Sequence, residues 1–528
     1  MKASKWIAFL ILILPITLFY FYIPIFIFPD SYHYLLNTDI LLGVTAFSDW
    51  CIVRGPSLPL YLFPFLFFFG TTAESLLLAT YFSFVAYLAI TWGVITKFLK
   101  ELTLNEFATI FVYLLFVVLI LINPVLLGYF HALLTEFLAI FLGLFTCVLV
   151  WNWSNQDLEK DKKKRLGNIL IFVSLVVFSW FLKQPYISTT IFPILAGVFI
   201  VILKKKGRKD LFHRILVVVL SLISLFFSML VWDALLERSG NPETASDFNT
   251  FILNDSIIHG FRKFLSYGEE VYIDEETVEE DNLLNEVDKV KMLSILDGEV
   301  NSSFKVYNVL TPSGAITNRE VMYYGGTESS FLDSVAFALK LFRKYPLRVL
   351  DSYVTNYLSA INIIQRTNSE QNLGIGLAFL YNEENILWLT PEQRVGVQDY
   401  YRPNPVEFFS PEVKSFMSDV YLNIFKIFYL LLPFLWIYSL LSCINNNRKG
   451  KARDNYLKEL VFILLSYALL HALLHVFTGA IIDRYLIVSF PAVILAVILL
   501  FIQGASKWST KSQRGDEKRC IISTAQSC

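Results

Sequence analysis

The chain reads as an α-helical polytopic membrane protein of about ten transmembrane helices, counted by spanning length, with one large extracytoplasmic segment that is mainly helical or mixed α/β. Three observations predict this. Only 17% of its 528 residues are charged, where soluble proteins carry about 25%. Hydrophobic residues make up 55%, and the mean hydropathy is +0.55. The apolar residues also gather into runs long enough to cross a bilayer. The 48 Phe and 27 Tyr suit lipid-facing helices and interfacial belts.

The N-terminus, MKASKWIAFLILILPITLFYFYIPIFIFPD, sets Lys2 and Lys5 before an apolar run ending near Phe28. A signal peptide has a shorter apolar core, roughly 7–15 residues, and a small-residue cleavage site. This run is longer and has no such site, so it reads as an uncleaved first membrane helix. A spanning helix needs about 20 mostly apolar residues. That rule selects 7–28, 74–96, 107–123, 132–151, 168–182, 187–203, 215–233, 419–444, 460–478 and 485–503. The stretch SLPLYLFPFLFFFG at 57–70 is shorter and carries Pro59 and Pro64. Such a piece is more often interfacial or re-entrant, and it is placed flat on the outer surface.

Lys and Arg near the helix ends set the orientation. With the N-terminus inside, the cytoplasmic side receives KDKKKR at 160–165, KKKGRK at 204–209 and RKGKAR at 448–453. That side holds 25 Lys and Arg against 10 Asp and Glu. Both termini are then cytoplasmic, in a multi-pass protein of the cell membrane. An N-terminal transmembrane domain covers 1–233, with its first outer loop at 30–70. An extracytoplasmic domain covers 234–418, C-terminal transmembrane helices 419–503 and a cytoplasmic tail 504–528. The extracytoplasmic segment holds 27 acidic and 15 basic residues. Its run EEVYIDEETVEED (269–281) reads as a solvated loop, because like charges repel and stay hydrated. Residues 331–361 read as two amphipathic helices broken at Pro346.

Several chemistries are excluded. The sequence has no P-loop and no Gly-rich dinucleotide fingerprint, and no nucleic-acid partner is expected. The five cysteines are scattered, without metal or disulfide spacing. His471 and His475 share a helix face in HALLH, but the glutamate of HExxH is missing, so they read as core or substrate-lining histidines and no metal site is assigned. Asn301-Ser-Ser is a glycosylation sequon by pattern alone.

Setting aside the inner loops and the outer segment leaves four cations: Arg54, Lys183, Lys426 and Arg484. Arg54, Lys183 and Arg484 are distant in sequence but fall at one membrane depth, on the side that the positive-inside rule disfavours. Cations against a bilayer are costly, although an interfacial side chain can snorkel. Three together suit an anionic head group such as phosphate. Asp30 directly follows the first helix and is either a helix-end residue or a general base; Asp39 and Asp49 in the same loop compete for that role. Glu136 lies one turn into a span and His131 near the same mouth, as a packing pair or as part of a site.

The first outer loop, PDSYHYLLNTDILLGVTAFSDWCIVRGPSLPLYLFPFLFFFG (29–70), resembles that of the GT-C glycosyltransferase superfamily, and in particular protein O-mannosyltransferases and lipid A aminoarabinose transferases. The matching residues are Asp30, Tyr34 or Tyr32, Gly43, Arg54, Pro56 and Pro59. INPVLLGYFHALLTEFLAIFLG (122–143) resembles the superfamily's Asn-Pro pair and helix-top Glu. KQPY (183–186) resembles its basic-Pro pair, and DRYLIVSFP (483–491) its late Arg-Tyr pattern. Together these cover nearly all membrane segments in order. Asp30 is followed by Ser, where many relatives have an acid.

The resemblance implies a sugar donor linked to a polyprenyl phosphate and a glycan, lipid or protein acceptor, with membrane lipids as surroundings. Asp30 would be the base in an inverting transfer. Arg54, Lys183 and Arg484 would hold the donor phosphate, and Tyr34, His131, Glu136 and Tyr485 would line the sugar or acceptor. No cofactor is called for; room for a divalent metal remains, although the aspartate pair that some relatives use is absent. Two alternatives stand beside it: a polysaccharide polymerase or ligase using a lipid-linked substrate, and a transporter or flippase, for which Lys426 is the best residue.

Overall fold

In lipid each backbone N–H and C=O must be satisfied within its own segment, so long apolar runs become helices. The computed structural model follows this rule. It describes residues 2–51, 54–101, 106–156, 162–204, 207–238, 272–273, 304–305, scattered positions between 343 and 380, and then 381–405, 410–449, 452–477 and 486–504. The chain begins with α1 (Lys2–Tyr22), α2 (Pro29–Leu41), α3 (Ser57–Phe69) and α4 (Ala73–Glu101). There follow α5 (Glu106–Phe116), a π-turn at Val117–Leu121, α6 (Pro124–His131), α7 (Glu136–Asn155), α8 (Lys162–Leu182), α9 (Ser188–Leu203) and α10 (Arg208–Arg238). A short α11 (Pro391–Gly396) precedes α12 (Pro411–Lys449), α13 (Ala452–Phe477) and α14 (Phe490–Gly504).

Among the described residues, six helices are long and apolar enough to cross a membrane, or seven if the bent pair α5–α6 counts as one. They contain the expected spans 74–96, 168–182, 215–233 and 419–444 and overlap 132–151 and 460–478, the helices there being Glu136–Asn155 and Tyr456–Leu474. The expected span 107–123 falls on the bent pair, whose halves meet at 41°. Asn123 causes the break by capping α6, its Oδ1 accepting from the Leu126 N–H at 3.0 Å. Pro124 then opens the new helix, where a missing N–H costs nothing. Of the remaining expected spans, 7–28 falls on the 21-residue α1, and 187–203 and 485–503 fall on the shorter apolar helices Ser188–Leu203 and Phe490–Gly504. The first ends early because Pro24 disfavours helical backbone at the preceding residue, and the chain runs extended to Phe28. The stretch 57–70 is the 13-residue α3, too short to span.

The outer segment is only partly described. Most of the acidic run, Asn301 and most of 331–361 lie outside the described residues, as does the tail beyond 504. Tyr272–Ile273 and Phe304–Lys305 form a two-residue antiparallel pair.

Burial sorts the helices. In α7 and α13, 72% of the spanning window is enclosed, against 22% in α8 and α12 and 17% in α10. α7 and α13 are therefore central, with α9 packed against both. The outer helices turn Leu10, Leu14, Leu166, Leu170, Phe226 and Phe434 outward, as lipid contact requires and water would not favour. Close approach at the centre depends on Gly143, where any side chain would strike the Tyr467 hydroxyl; small residues at such crossings are the usual device in membranes.

Charged groups at one end of this core are paired. Lys204 Nζ meets Glu459 at 2.7 Å and donates to Asn155 Oδ1 at 2.8 Å. Asn155 Nδ2 donates to the same glutamate at 3.1 Å. Lys97 donates to the Tyr456 hydroxyl at 2.6 Å and sits 4.3 Å from the Trp151 ring. Breaking the trio leaves a half-buried ammonium without its carboxylate. Glu459→Ala is expected to destabilise the protein by about 2–3 kcal/mol, seen as an earlier denaturation midpoint in detergent. A midpoint equal to that of the unaltered protein would show that the trio contributes nothing to stability.

Candidate functional site

Six residues between α1 and α2 set the geometry at the opposite end. The extended chain carries Phe26 beside Ala132 on one side and Ile27 beside Ile386 on the other, both in parallel pairing. Phe26 N–H donates to His131 O (2.6 Å) and Leu133 N–H to Phe26 O (2.8 Å). Ile27 N–H donates to Asn385 O (2.8 Å) and Leu387 N–H to Ile27 O (2.9 Å). Ser31 locks the start of α2: its hydroxyl donates to Leu133 O at 2.6 Å and accepts from Phe28 N–H at 2.9 Å. Ser31 is fully buried, so a carboxylate in its place would face the Leu133 carbonyl away from water.

Asp30 lies in the first turn of α2, where the positive end of the helix dipole faces its carboxylate. Its Oδ1 accepts from Arg54 Nη2 in an ion pair whose side chains keep 25% and 17% of their surface, respectively. Tyr34 is one turn further along the same stripe, and the Arg54 guanidinium lies 5.7 Å from its ring centre. The Tyr34 hydroxyl hydrogen-bonds Thr135 and feels the charge of Glu136. Burial pushes this phenol well above the ordinary range, so it remains a neutral hydroxyl. Glu136 opens α7 almost completely enclosed, with Thr135 Oγ1 3.4 Å from its Oε2.

The Arg54 loop is tied to α2 by Asn37, two turns beyond Asp30 on the same face. Asn37 Nδ2 donates to the carbonyls of Cys51 and Arg54, each at 3.2 Å. Its Oδ1 accepts from Cys51 N–H at 2.8 Å. Gly55 then presses on the end of α8, where a side chain would collide with the Phe181 carbonyl, and Ser57 donates to Phe178 O at 2.8 Å. Lys183 lies two residues beyond Phe181, half-buried. The structure thus gathers Asp30, Tyr34, Arg54 and Glu136 directly, with the backbone bearing Lys183 packed against the Arg54 loop.

His131 takes a different place from a lining residue. It is completely buried, its ring 4.0 Å from that of Tyr20 and its carbonyl accepting from Phe26 N–H, so it supports the extended clamp from behind. Arg484 and Tyr485 lie outside the described residues, as does the His475 side chain. His471 accepts or donates at Nδ1 with the Ser188 hydroxyl at 2.6 Å, both buried. Among the described residues no group of three or more His, Cys, Asp or Glu could hold a metal ion.

No protein-family model matches the chain, and no curated protein or solved structure is similar enough to register as a match.

The sequence reading missed the parts that aim the site. Asn37 had a usable signal, since Asp30, Tyr34 and Asn37 recur at helical spacing. Residues 381–405 had none. Asn385, fully buried, donates to Ile25 O (2.8 Å) and Tyr400 O (2.9 Å) and accepts from Arg402 N–H (2.9 Å). Arg402 also holds Glu74 at 2.9 Å. Gly396 of α11 rests on the Tyr32 ring, and Trp388, at φ 59°, meets Phe28 with ring centres 5.5 Å apart.

His33 reports on the ion pair. Burial lowers its imidazole pKa, Arg54 lowers it further and Asp30 opposes both. Arg54→Gln should therefore raise the His33 titration midpoint and Asp30→Asn should lower it, followed by NMR of the ring carbons. Shifts of the opposite signs would contradict the observed arrangement. Asn37→Ala, which releases three hydrogen bonds, is expected to cost about 1–3 kcal/mol, measured by thermal denaturation.

Proposed function

We propose that the chain is a membrane glycosyltransferase that moves a sugar from a polyprenyl-phosphate donor to an acceptor hydroxyl on the non-cytoplasmic face. The observation that carries the reading is the Asp30–Arg54 ion pair at the N-terminus of α2, partly open to solvent and set beside Tyr34. A carboxylate and a guanidinium held side by side supply the two groups such a transfer needs. One accepts a proton and the other receives a phosphate.

In the proposed step the acceptor oxygen attacks the anomeric carbon. The new C–O bond forms as the bond from that carbon to the phosphate oxygen breaks. The bonding pair leaves with the phosphate, and the acceptor proton passes to Asp30. A guanidinium has five N–H donors, so Arg54 can hold Asp30 through one edge and a phosphate through the others. It would then stabilise the charge gathering on the leaving oxygen. Lys183 would add a second cation, and Arg484 a third. The neutral Tyr34 hydroxyl and Glu136 would orient the sugar. The segment 381–405, packed over the start of α2, would border the acceptor side. Phosphate is already a good leaving group, so positioning and electrostatics can supply most of the acceleration.

The test is incubation of the purified protein with a panel of polyprenyl-phosphate sugars, reading release of free polyprenyl phosphate. Asp30→Asn should fold normally and lose roughly 10²–10⁴-fold in transfer rate. Arg54→Gln should lose about 10²–10³-fold, with the larger effect on donor use. Undiminished transfer by Asp30→Asn would reject it as the base, and substrate flux without a new glycosidic bond would favour a transporter.

A further inference from the structure

A second site lies at the other end of the bundle, where α8 and α10 both begin. The two helices pack along each other, and their first two turns border an open cavity of about 380 Å³ lined by Arg165, Arg208, Lys209, Phe212 and His213. Three of these five residues are permanent cations, and none is acidic. Arg165 Nη1 donates to His213 Nε2 at 2.9 Å, fixing the guanidinium across the gap between the helices. Asp210, next to Lys209, is turned away: it pairs at 3.1 Å with the buried Arg214. Arg214 in turn donates to Trp153 O at 2.7 Å and Gln156 O at 3.2 Å. Among the described residues, Asp210 is the carboxylate adjacent to these cations in sequence, and it is thus engaged inside the fold. Two helix N-termini add partial positive charge toward the same space.

The surroundings select the ligand. Phe212, which lines the cavity, is 62% exposed, and Leu166, Leu170, Ile215 and Val219 continue an outward apolar track down the same two helices. These are among the least enclosed spanning helices. A soluble anion would use the cations and ignore the track, whereas a phospholipid would use both. From this juxtaposition of a basic cavity and an apolar track, we infer that the α8–α10 cleft binds the phosphate head group of an anionic phospholipid, with its acyl chains along Phe212 and Ile215. Basic pockets between helices at a membrane surface are suited to such head groups. The site is independent of the proposed transferase centre.

The test uses the full chain purified in detergent and titrated with phosphatidylglycerol, phosphatidylcholine or inorganic phosphate, with bound lipid counted by native mass spectrometry. Phosphatidylglycerol should bind in preference to phosphatidylcholine. Arg208→Gln/Lys209→Gln, at two exposed positions, should weaken its binding roughly thirtyfold for the two charges removed. Arg165→Gln on the facing helix should weaken it separately, whereas Lys100→Gln, an exposed cation on α4, should leave it unchanged. Equal losses in the double variant and Lys100→Gln would reduce the effect to overall charge and overturn the site. Displacement of the lipid by equimolar inorganic phosphate would overturn the lipid assignment.

Discussion

The extended stretch Ile23–Phe28 is the constraint on which the candidate site depends. A chain leaving a spanning helix carries backbone groups that the helix no longer satisfies, and buried groups of this kind must find partners. Here they are supplied from both sides, by 131–133 and by 385–387. That double pairing fixes the direction in which Pro29 starts α2, and Ser31 fixes its rotation. Asp30, Tyr34 and Asn37 then fall on one face by helical geometry. Arg54 is delivered to that face because Asn37 holds the carbonyls of its loop. Each contact is modest alone. The arrangement is specific because every one of them anchors the same short piece of backbone.

The bundle also separates two kinds of charge. At the end opposite Asp30, the cations that face the core are paired or placed over aromatic rings: Lys204 with Glu459, Arg214 with Asp210, Lys97 over Trp151. At the same end Arg165, Arg208 and Lys209 gather around the α8–α10 cleft. At the Asp30 end, Asp30 and Arg54 meet in one partly solvated ion pair. Burying an ion without a partner is expensive, so core-facing charges settle into fixed pairs, while groups that retain surface remain able to meet a ligand. The distinction between the two ends therefore follows from solvation, before any reaction is assigned.

The physical grounds for a transferase and for a lipid site differ. The first rests on a carboxylate and a guanidinium held together by a clamp of three chain segments. The second rests on cations from two parallel-running helix starts beside an apolar surface. A protein that uses a lipid-linked substrate at one face and an anionic lipid at the other would be oriented in the bilayer by both, because each site needs its own leaflet.

Much of the architecture was legible from the residues. Hydropathy located the long helices, since spanning length is a local property that needs no partner. Asp30 and Arg54 stood out because charge beside an apolar run is costly wherever the chain goes. Pro24 and the Asn123-Pro124 pair carry local helix-breaking signals, but the sequence could not reveal that the chain leaving the first helix feeds an extended clamp or which segments flank it. Those outcomes depend on which neighbour receives the released backbone groups. Nor could it reveal that His131 is a buried support, or that Asn385, far along the chain, holds the stretch leading to Asp30. Local composition determined where the chain is apolar and where it is charged. Only tertiary contact decided which charges meet, because hydrogen bonds between segments hundreds of residues apart leave no periodic trace in either segment.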